Sequence, residues 1–219
     1  MSADLKASYE AALFKPRYSD EVHLQWLKNF GVSSFAGLRV LDLGCGSGYI
    51  SQLAQLDGAK VSVGVDIEKP KEGLREDQSF QFVEANLDRE DWYQAFPERE
   101  FDMILAFDII EHLRSPVAFL EQCRSLLSRE GSLYLTTPNT QSLERLLKPR
   151  TWSGAFDPQH RILFSKYSLD FLLYKTGLKT LQLRAPMRSL RWLPRWLEPA
   201  IGGQLLAQAR PDLNGSLSH

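Results

Sequence analysis

The sequence predicts an α/β domain built on a mostly parallel β-sheet with helices on both faces. Two observations carry this reading. Val40, Leu41 and Leu43 form a short apolar run that suits a buried parallel strand; Gly44, Gly46 and Gly48 follow at alternate positions; Ile50, Leu53, Ala54 and Leu56 then take helical spacing. The chain there runs strand, glycine turn, helix, which leaves the unpaired N–H groups of a helix N-terminus facing a ligand. Beyond that unit, apolar strands and helical stretches alternate, the pattern of parallel strands joined by crossover helices.

The elements follow in order. Residues 4–30 read as two helices parted near Pro16: Leu5, Tyr9, Ala12 and Leu13 are helically spaced, and Val22, Leu24, Trp26, Leu27 and Phe30 form a second apolar set behind Ser19 and Asp20, a candidate cap. Strands are expected at 38–43, 60–66, 80–84, 101–107, 131–137, 178–183 and 204–209. Helices are expected at 48–57, 89–96, 115–128 and 165–176; the last starts at Ser165 and stops at Gly177, a cap-and-stop pair. The chain therefore divides into an N-terminal helical cap (1–30), a single α/β domain (31–210) and a polar tail (211–219) that has little to bury and is expected to be disordered.

A chain of 219 residues suffices for one such domain with a full core. A formal net charge of −1 gives no global pull toward nucleic acid, so DNA is not an expected partner. The two cysteines, Cys45 in the glycine turn and Cys123 on an expected helix, make neither a disulfide framework nor a metal cluster. The first residues, Met-Ser-Ala-Asp-Leu-Lys, lack an apolar signal core, and no run approaches the ~18 apolar residues of a membrane span. A cytoplasmic location is the expectation.

The spacing of the glycines narrows the ligand. A dinucleotide fold uses G-x-G-x-x-G and a phosphate loop G-x-x-x-x-G-K-[ST]; here the pattern is G-x-G-x-G, with Asp42 two residues before it. A carboxylate at the strand end repels polyphosphate and suits an amino group or a positive charge. The second strand ends in Asp66, about 20 residues after the turn, where nucleotide folds bind ribose hydroxyls through an acid.

The chain resembles the class I S-adenosylmethionine-dependent methyltransferases. The resemblance rests on Val40-Leu-Asp-Leu-Gly-Cys-Gly-Ser-Gly48, Gly64-Val-Asp66, Val83-Glu-Ala-Asn86, Phe101-Asp-Met-Ile-Leu-Ala-Phe-Asp-Ile-Ile-Glu-His112 and Gly131-Ser-Leu-Tyr-Leu-Thr-Thr-Pro-Asn139, in family order over roughly residues 38–139 and more weakly to about residue 210. It implies a Rossmann-like, seven-stranded sheet that binds the methyl donor across the carboxyl ends of its first strands. Asp42 and the turn of Gly44, Cys45, Gly46 and Gly48 would hold the methionine part. Asp66 would hold the ribose, with Ile67 packing on the adenine. Asn86 stands where the family often has an Asp contacting the adenine amino group, and Leu87 would offer its backbone N–H to the ring. Phe107 and Asp108 would lie near the sulfonium, and Arg17 either reaches the donor carboxylate or is a surface charge.

The acceptor side centres on Asp108, Glu111 and His112, which share a face if the turn after the fourth strand is helical. Here the chain is similar to the ubiquinone-biosynthesis O-methyltransferases, which carry Glu-x-x-Glu-His linked to a divalent metal and to the acceptor hydroxyl. This chain has Asp108 for the first Glu, a shorter reach, and no metal is expected. Alternatively, Glu111 and His112 cap a helix beside the donor. A second cluster, Asp157 and His160 with Trp152 and Phe156 nearby, falls in a long loop after the fifth strand, where it would line an acceptor pocket or serve as structural hydrogen bonding. In residues 184–196, Arg188, Arg191 and Arg195 are helically spaced and Trp192 and Trp196 are four apart. That segment would meet a membrane surface or an anionic substrate, or pack its tryptophans on the core. The expected function is donor-dependent methylation of a small-molecule or lipid-linked hydroxyl or amine. Alternatives are a non-catalytic donor-binding regulatory module and an RNA methyltransferase; the [Asn/Asp/Ser]-Pro-Pro-aromatic string of amino-methylating DNA enzymes is not found after the fourth strand.

Overall fold

The computed structural model describes residues 18–70, 80–89, 91–95, 100–186 and 201–213. The expected helix before Pro16, Arg17, and the segment with Arg188, Arg191, Trp192, Arg195 and Trp196 lie outside them.

Seven strands are present: β1 (Arg39–Leu43), β2 (Val61–Asp66), β3 (Phe80–Glu84), β4 (Phe101–Phe107), β5 (Leu127–Pro138), β6 (Leu178–Arg184) and β7 (Gln204–Pro211). They form one sheet in the order β3-β2-β1-β4-β5-β7-β6. The pairs from β3 through β5 are parallel, and β7 runs antiparallel to both its neighbours. The strand order reverses between β1 and β4. Crevices outside the carboxyl ends of strands at such a reversal take the ligand in open α/β sheets. Asp42 and Gly44 stand at one lip of this crevice, and Phe107 and Asp108 at the other.

The side chains of β1, β4 and β5 alternate between two cores. Leu41, Leu43, Ile104, Ala106, Leu133 and Leu135 face one, filled by Phe119, Leu120 and Cys123 of α3 (Pro116–Leu126) and by Leu169 and Leu173 of α6 (Lys166–Lys175). Val40, Met103, Leu105, Phe107 and Tyr134 face the other, filled by Trp26, Leu27 and Phe30 of α1 (Tyr18–Phe30) and by Ile50 and Leu53 of α2 (Tyr49–Leu56). Burial on both faces explains why the strands read as near-continuous apolar runs. Truncating a fully buried side chain such as Leu41 to Ala should cost about 2–5 kcal/mol.

The helices depart from expectation where a local tertiary contact outweighs the periodic signal. α1 begins at Tyr18, so Asp20 is inside its first turn; its carboxylate accepts from Ser47 Oγ at 3.1 Å and does not act as the expected cap. Within 89–96, the described helix is a single 3₁₀ turn, Trp92–Ala95, whose Trp92 is buried against Phe119 with its indole N–H donated to Gln122. The long loop after β5 contains two short helices, α4 (Leu143–Leu147) and α5 (Ser153–Phe156). Residues 211 and 212, expected in the tail, are bonded to the end of the sheet: Pro211 pairs with Leu178, and Asp212 N–H donates to Gly177 O at 2.9 Å. α6 carries the expected cap, as a reciprocal pair between Ser165 and Ser168. Among the described residues no helix is long and apolar enough to cross a membrane.

Candidate active site

The glycine turn is folded back onto the end of β2. Gly44 and Cys45 N–H groups both donate to Val65 O, at 2.8 and 3.0 Å. Gly44, Gly46 and Gly48 take left-handed φ values of 73°, 54° and 72°. At Gly44 a side chain would be strained by the left-handed backbone and would displace Ile109, whose Cδ1 lies 2.1 Å from where a Cβ would stand. The turn thus packs its backbone directly against the segment that follows β4.

Two carboxylates flank it. Asp42 is buried and accepts from Ser51 Oγ at 2.7 Å. Burial pushes its carboxyl up to about 6; the Ser51 bond and His23 pull it down, while Asp66 and Asp20 push it further up. Asp66 Oδ2 accepts Gly46 N–H at 2.7 Å, and its Oδ1 accepts Ile67 N–H at 2.7 Å. Ile67 is 65% exposed beside it, open to a planar ligand group. Burial raises the Cys45 thiol well above its ordinary range, so the position is inert.

A small pocket opens at this turn, lined by Asp20, His23, Asp42, Gly44, Ser47 and Phe107 among others. Asp20 and His23, both from α1, are the residues here that sequence reasoning missed as site members. Asp20 and His23 stand three apart on α1, in line with the buried Trp26, so the helix turns them toward the sheet side together.

After β4 the chain enters a left-handed residue, Asp108 (φ 53°), and then a 3₁₀ turn, Ile110–His112. This geometry corrects the expectation that Asp108, Glu111 and His112 work as one face. Asp108 Oδ1 accepts from Thr136 Oγ1 at 3.0 Å, and its Oδ2 lies 3.9 Å from His23 Nε2. Glu111 and His112 instead meet His160. The His112 and His160 rings stand edge-on, with centroids 4.8 Å apart. The loop carrying His160 is fixed to the turn by Arg161 and Ile162 N–H groups, which donate to Glu111 O at 2.8 and 3.2 Å. His112 Nδ1 faces Gln159 O at 3.2 Å, and His160 Nδ1 faces Gly154 O at 2.8 Å. When each Nδ1 carries the proton, each Nε2 is left as the basic nitrogen. Glu111 is buried beneath them, and among the described residues neither of its carboxylate oxygens has a hydrogen-bond partner. Burial first, then Asp108, pushes its carboxyl up to about 8, and neighbouring groups including Thr137 offset only part. Trp152 is buried and Phe156 exposed, so of these two Phe156 alone presents its ring to solvent.

A sequence model of the methyltransferase domain matches residues 11–183. The chain belongs to that methyltransferase family. Over 153 residues it is 35% identical to the ubiquinone biosynthesis O-methyltransferase of Cereibacter sphaeroides, a match covering 66% of this chain; the chain spans 61% of the length of that relative. Its fold is that of solved methyltransferases. The S-adenosylmethionine-dependent methyltransferase of Archaeoglobus fulgidus superposes with a TM-score of 0.62 at 20% identity, over 86% of this chain and 93% of that one. The 1,6-didemethyltoxoflavin-N1-methyltransferase of Burkholderia thailandensis, solved with S-adenosylhomocysteine bound, superposes at 0.56 and 18% identity, over 86% and 75%.

In this methyltransferase Asn86 takes part in a turn after β3 and keeps a second acceptor position on its side-chain oxygen. Its side-chain oxygen accepts Asp88 N–H at 2.9 Å, closing an Asx turn, so that lone pair serves the chain. Leu87 is half-buried and packs against the core next to β3. Asp108 Oδ1 accepts from Thr136 Oγ1, and Asp108 stands outside the candidate ligand set. Glu111, His112 and His160 place candidate ligand atoms within 4.8 Å of one another. Ligands about 2.0–2.2 Å from a tetrahedral ion sit roughly 3.4 Å apart. The trio would have to contract to hold one.

Proposed function

We propose that the protein transfers the methyl group of S-adenosylmethionine to a hydroxyl of a small-molecule acceptor, with His112 as the base. The observation that carries this reading is the Glu111–His112–His160 cluster at the carboxyl end of β4, beside the glycine-turn pocket. In the reading, the methionine end of the donor lies at residues 44–48, its ribose hydroxyls bond Asp66, and its adenine packs on Ile67. The similarity to an O-methyltransferase supports a hydroxyl over an amine.

The chemistry asks little of the chain beyond position, because the sulfonium is already activated. The acceptor oxygen attacks the methyl carbon in line, the C–S bond breaks, and its electron pair stays on sulfur as a neutral thioether. The hydroxyl proton passes to His112 Nε2. An imidazole base suits a hydroxyl of phenolic acidity, pKa ≈ 10, far better than an alkyl alcohol. Glu111, held neutral by burial, adds no competing negative charge beside that base.

Incubation with methyl-labelled donor and a panel of catechol, an aromatic amine and transfer RNA tests the reading. Label on the catechol oxygen supports it. Label on the amine or on RNA replaces it with the corresponding class, and donor binding without transfer to any acceptor turns it toward a regulatory module.

A further inference from the structure

α6 buries one side and leaves the other bare. Leu169 and Leu173 are fully buried in the core, while Tyr167, Phe171 and Tyr174 are 77%, 62% and 64% exposed. These three stand at i, i+4 and i+7, one stripe along the outer face of the helix. Of the four exposed Phe, Tyr and Trp side chains among the described residues, three are in this stripe, so the aromatic surface is concentrated in one patch. At about 150–250 Å² for a whole aromatic side chain, the stripe presents roughly 400 Å² of ring surface. A standard interface takes about 800 Å² from each partner, of which a little over half, roughly 450 Å², is apolar. The stripe therefore supplies the apolar part of one interface of ordinary size.

The charges beside the stripe are of both signs. Toward β6, Asp170 accepts from Thr180 Oγ1 at 2.7 Å, and Lys179 and Asp212 line the same groove. On the opposite flank of the stripe, Lys175 Nζ stands 5.8 Å from the Phe171 ring centroid. Acids within the patch do not suit a polyanion such as RNA. Mixed charge suits a surface that meets its own copy, because a twofold axis sets the β6 side of one patch against the β6 side of the other, lysine of one toward the carboxylates of the other. β6 is the last strand of the sheet, and its pairing with β7 shifts register between Thr180 and Gln182. Such a bulge twists an edge strand away from further pairing, so the helix and not the strand makes the contact. We propose that the outer face of α6 is the interface of a homodimer, in which a second copy of this chain packs antiparallel on Tyr167, Phe171 and Tyr174 about a twofold axis at Phe171. The stripe extends four residues before Phe171 and three after it, so that axis lays Tyr167 of one copy beside Tyr174 of the other. β5 and β7 lie between β4 and the β6 edge, so the dimer leaves the donor crevice open.

Sedimentation of the full chain over a wide range of concentration tests this. The native protein is expected at twice the chain mass. Phe171→Glu sets two like charges face to face on the axis and should weaken the dimer about thirtyfold or more, the scale of a central interface residue. S-adenosylhomocysteine binding, read by calorimetry, should be kept in that variant. Val117→Glu makes a similar apolar-to-acid change on the exposed start of α3 and should leave the dimer intact. Phe171→Cys puts a thiol on the axis, so a short bis-maleimide should join two copies of that variant; it should not join native chains, whose Cys45 and Cys123 are buried. If Phe171→Glu does not fold, the maleimide result decides. A native chain that sediments at single mass throughout overturns the proposal. So does a dimer that Phe171→Glu leaves intact, or one that the maleimide does not join through residue 171. A single chain that retains transfer RNA, and loses it in Phe171→Glu, overturns it in favour of a base-stacking platform.

Discussion

Gly46 N–H donates to Asp66 Oδ2 at 2.7 Å, so the glycine turn and the acid that ends β2 are held as one unit. The other oxygen, Oδ1, takes Ile67 N–H at 2.7 Å. A carboxylate has about four acceptor positions, so Asp66 keeps lone pairs for two more donors. Those are what the adjacent hydroxyls of a ribose require. The acid therefore shapes the site and binds in it.

Asp66→Ala should remove both roles together. Donor affinity is expected to fall by roughly 1–3 kcal/mol, read by calorimetry with S-adenosylhomocysteine. Asp66→Asn, which keeps one acceptor oxygen, should fall between the variant and the native protein. Unchanged affinity in the alanine variant would take Asp66 out of the ribose site.

The strand–glycine–helix unit and the seven strands are legible in the sequence because their signals are local. Apolar runs such as Val40 to Leu43 and the glycines after them report backbone and burial within a few residues. The partition of the acceptor side is not legible in the same way. Whether Asp108 joins Glu111 or turns to Thr136 and His23 depends on one left-handed backbone angle and on a 3₁₀ turn, and short polar stretches encode neither. His112 and His160 are brought together by the docking of Arg161 and Ile162 N–H groups on Glu111 O, a contact between segments separated by the whole of β5. His23 was hidden for another reason: helical periodicity shows which residues meet the core, not which polar residue on the same helix leans over a crevice.

His112→Ala should separate chemistry from donor binding. Turnover is expected to drop by ~10²-fold or more, the usual contribution of a positioned base, with S-adenosylhomocysteine affinity nearly unchanged. The measurement pairs turnover on the acceptor found with labelled donor and a calorimetric titration of the same preparation. Native-like turnover in the variant would move the base elsewhere, and His160 would be the next side chain to replace.

The engagement of Asp108 with Thr136 and His23 bears on metal dependence. With that acid turned away, turnover should be unchanged by EDTA and by added Mg²⁺ or Zn²⁺. A loss on chelation that a divalent ion restores would show that Glu111, His112 and His160 contract around an ion during turnover.

Glu111 should leave a signature in stability against pH. Its ordinary carboxyl value is 4.5, and burial with the nearby Asp108 carries it to about 8 in the folded chain. The folded state therefore keeps a proton that the unfolded state releases over that interval. The stabilisation from this raised value is complete below about 4.5, declines as pH rises, and is lost by the time pH passes 8. The loss is on the order of 3–4 kcal/mol, at about 1.4 kcal/mol per unit with some relaxation of the site. Glu111→Gln cannot ionise and should show none of this decline. Asp42 is raised in the same direction, to about 6, but it is present in both proteins and cancels in the comparison. Urea unfolding of the two proteins at pH 5 and pH 9 gives the difference directly. The variant should gain relative to native on going to pH 9, and a difference that stays constant with pH would mean that Glu111 ionises as an exposed carboxylate does.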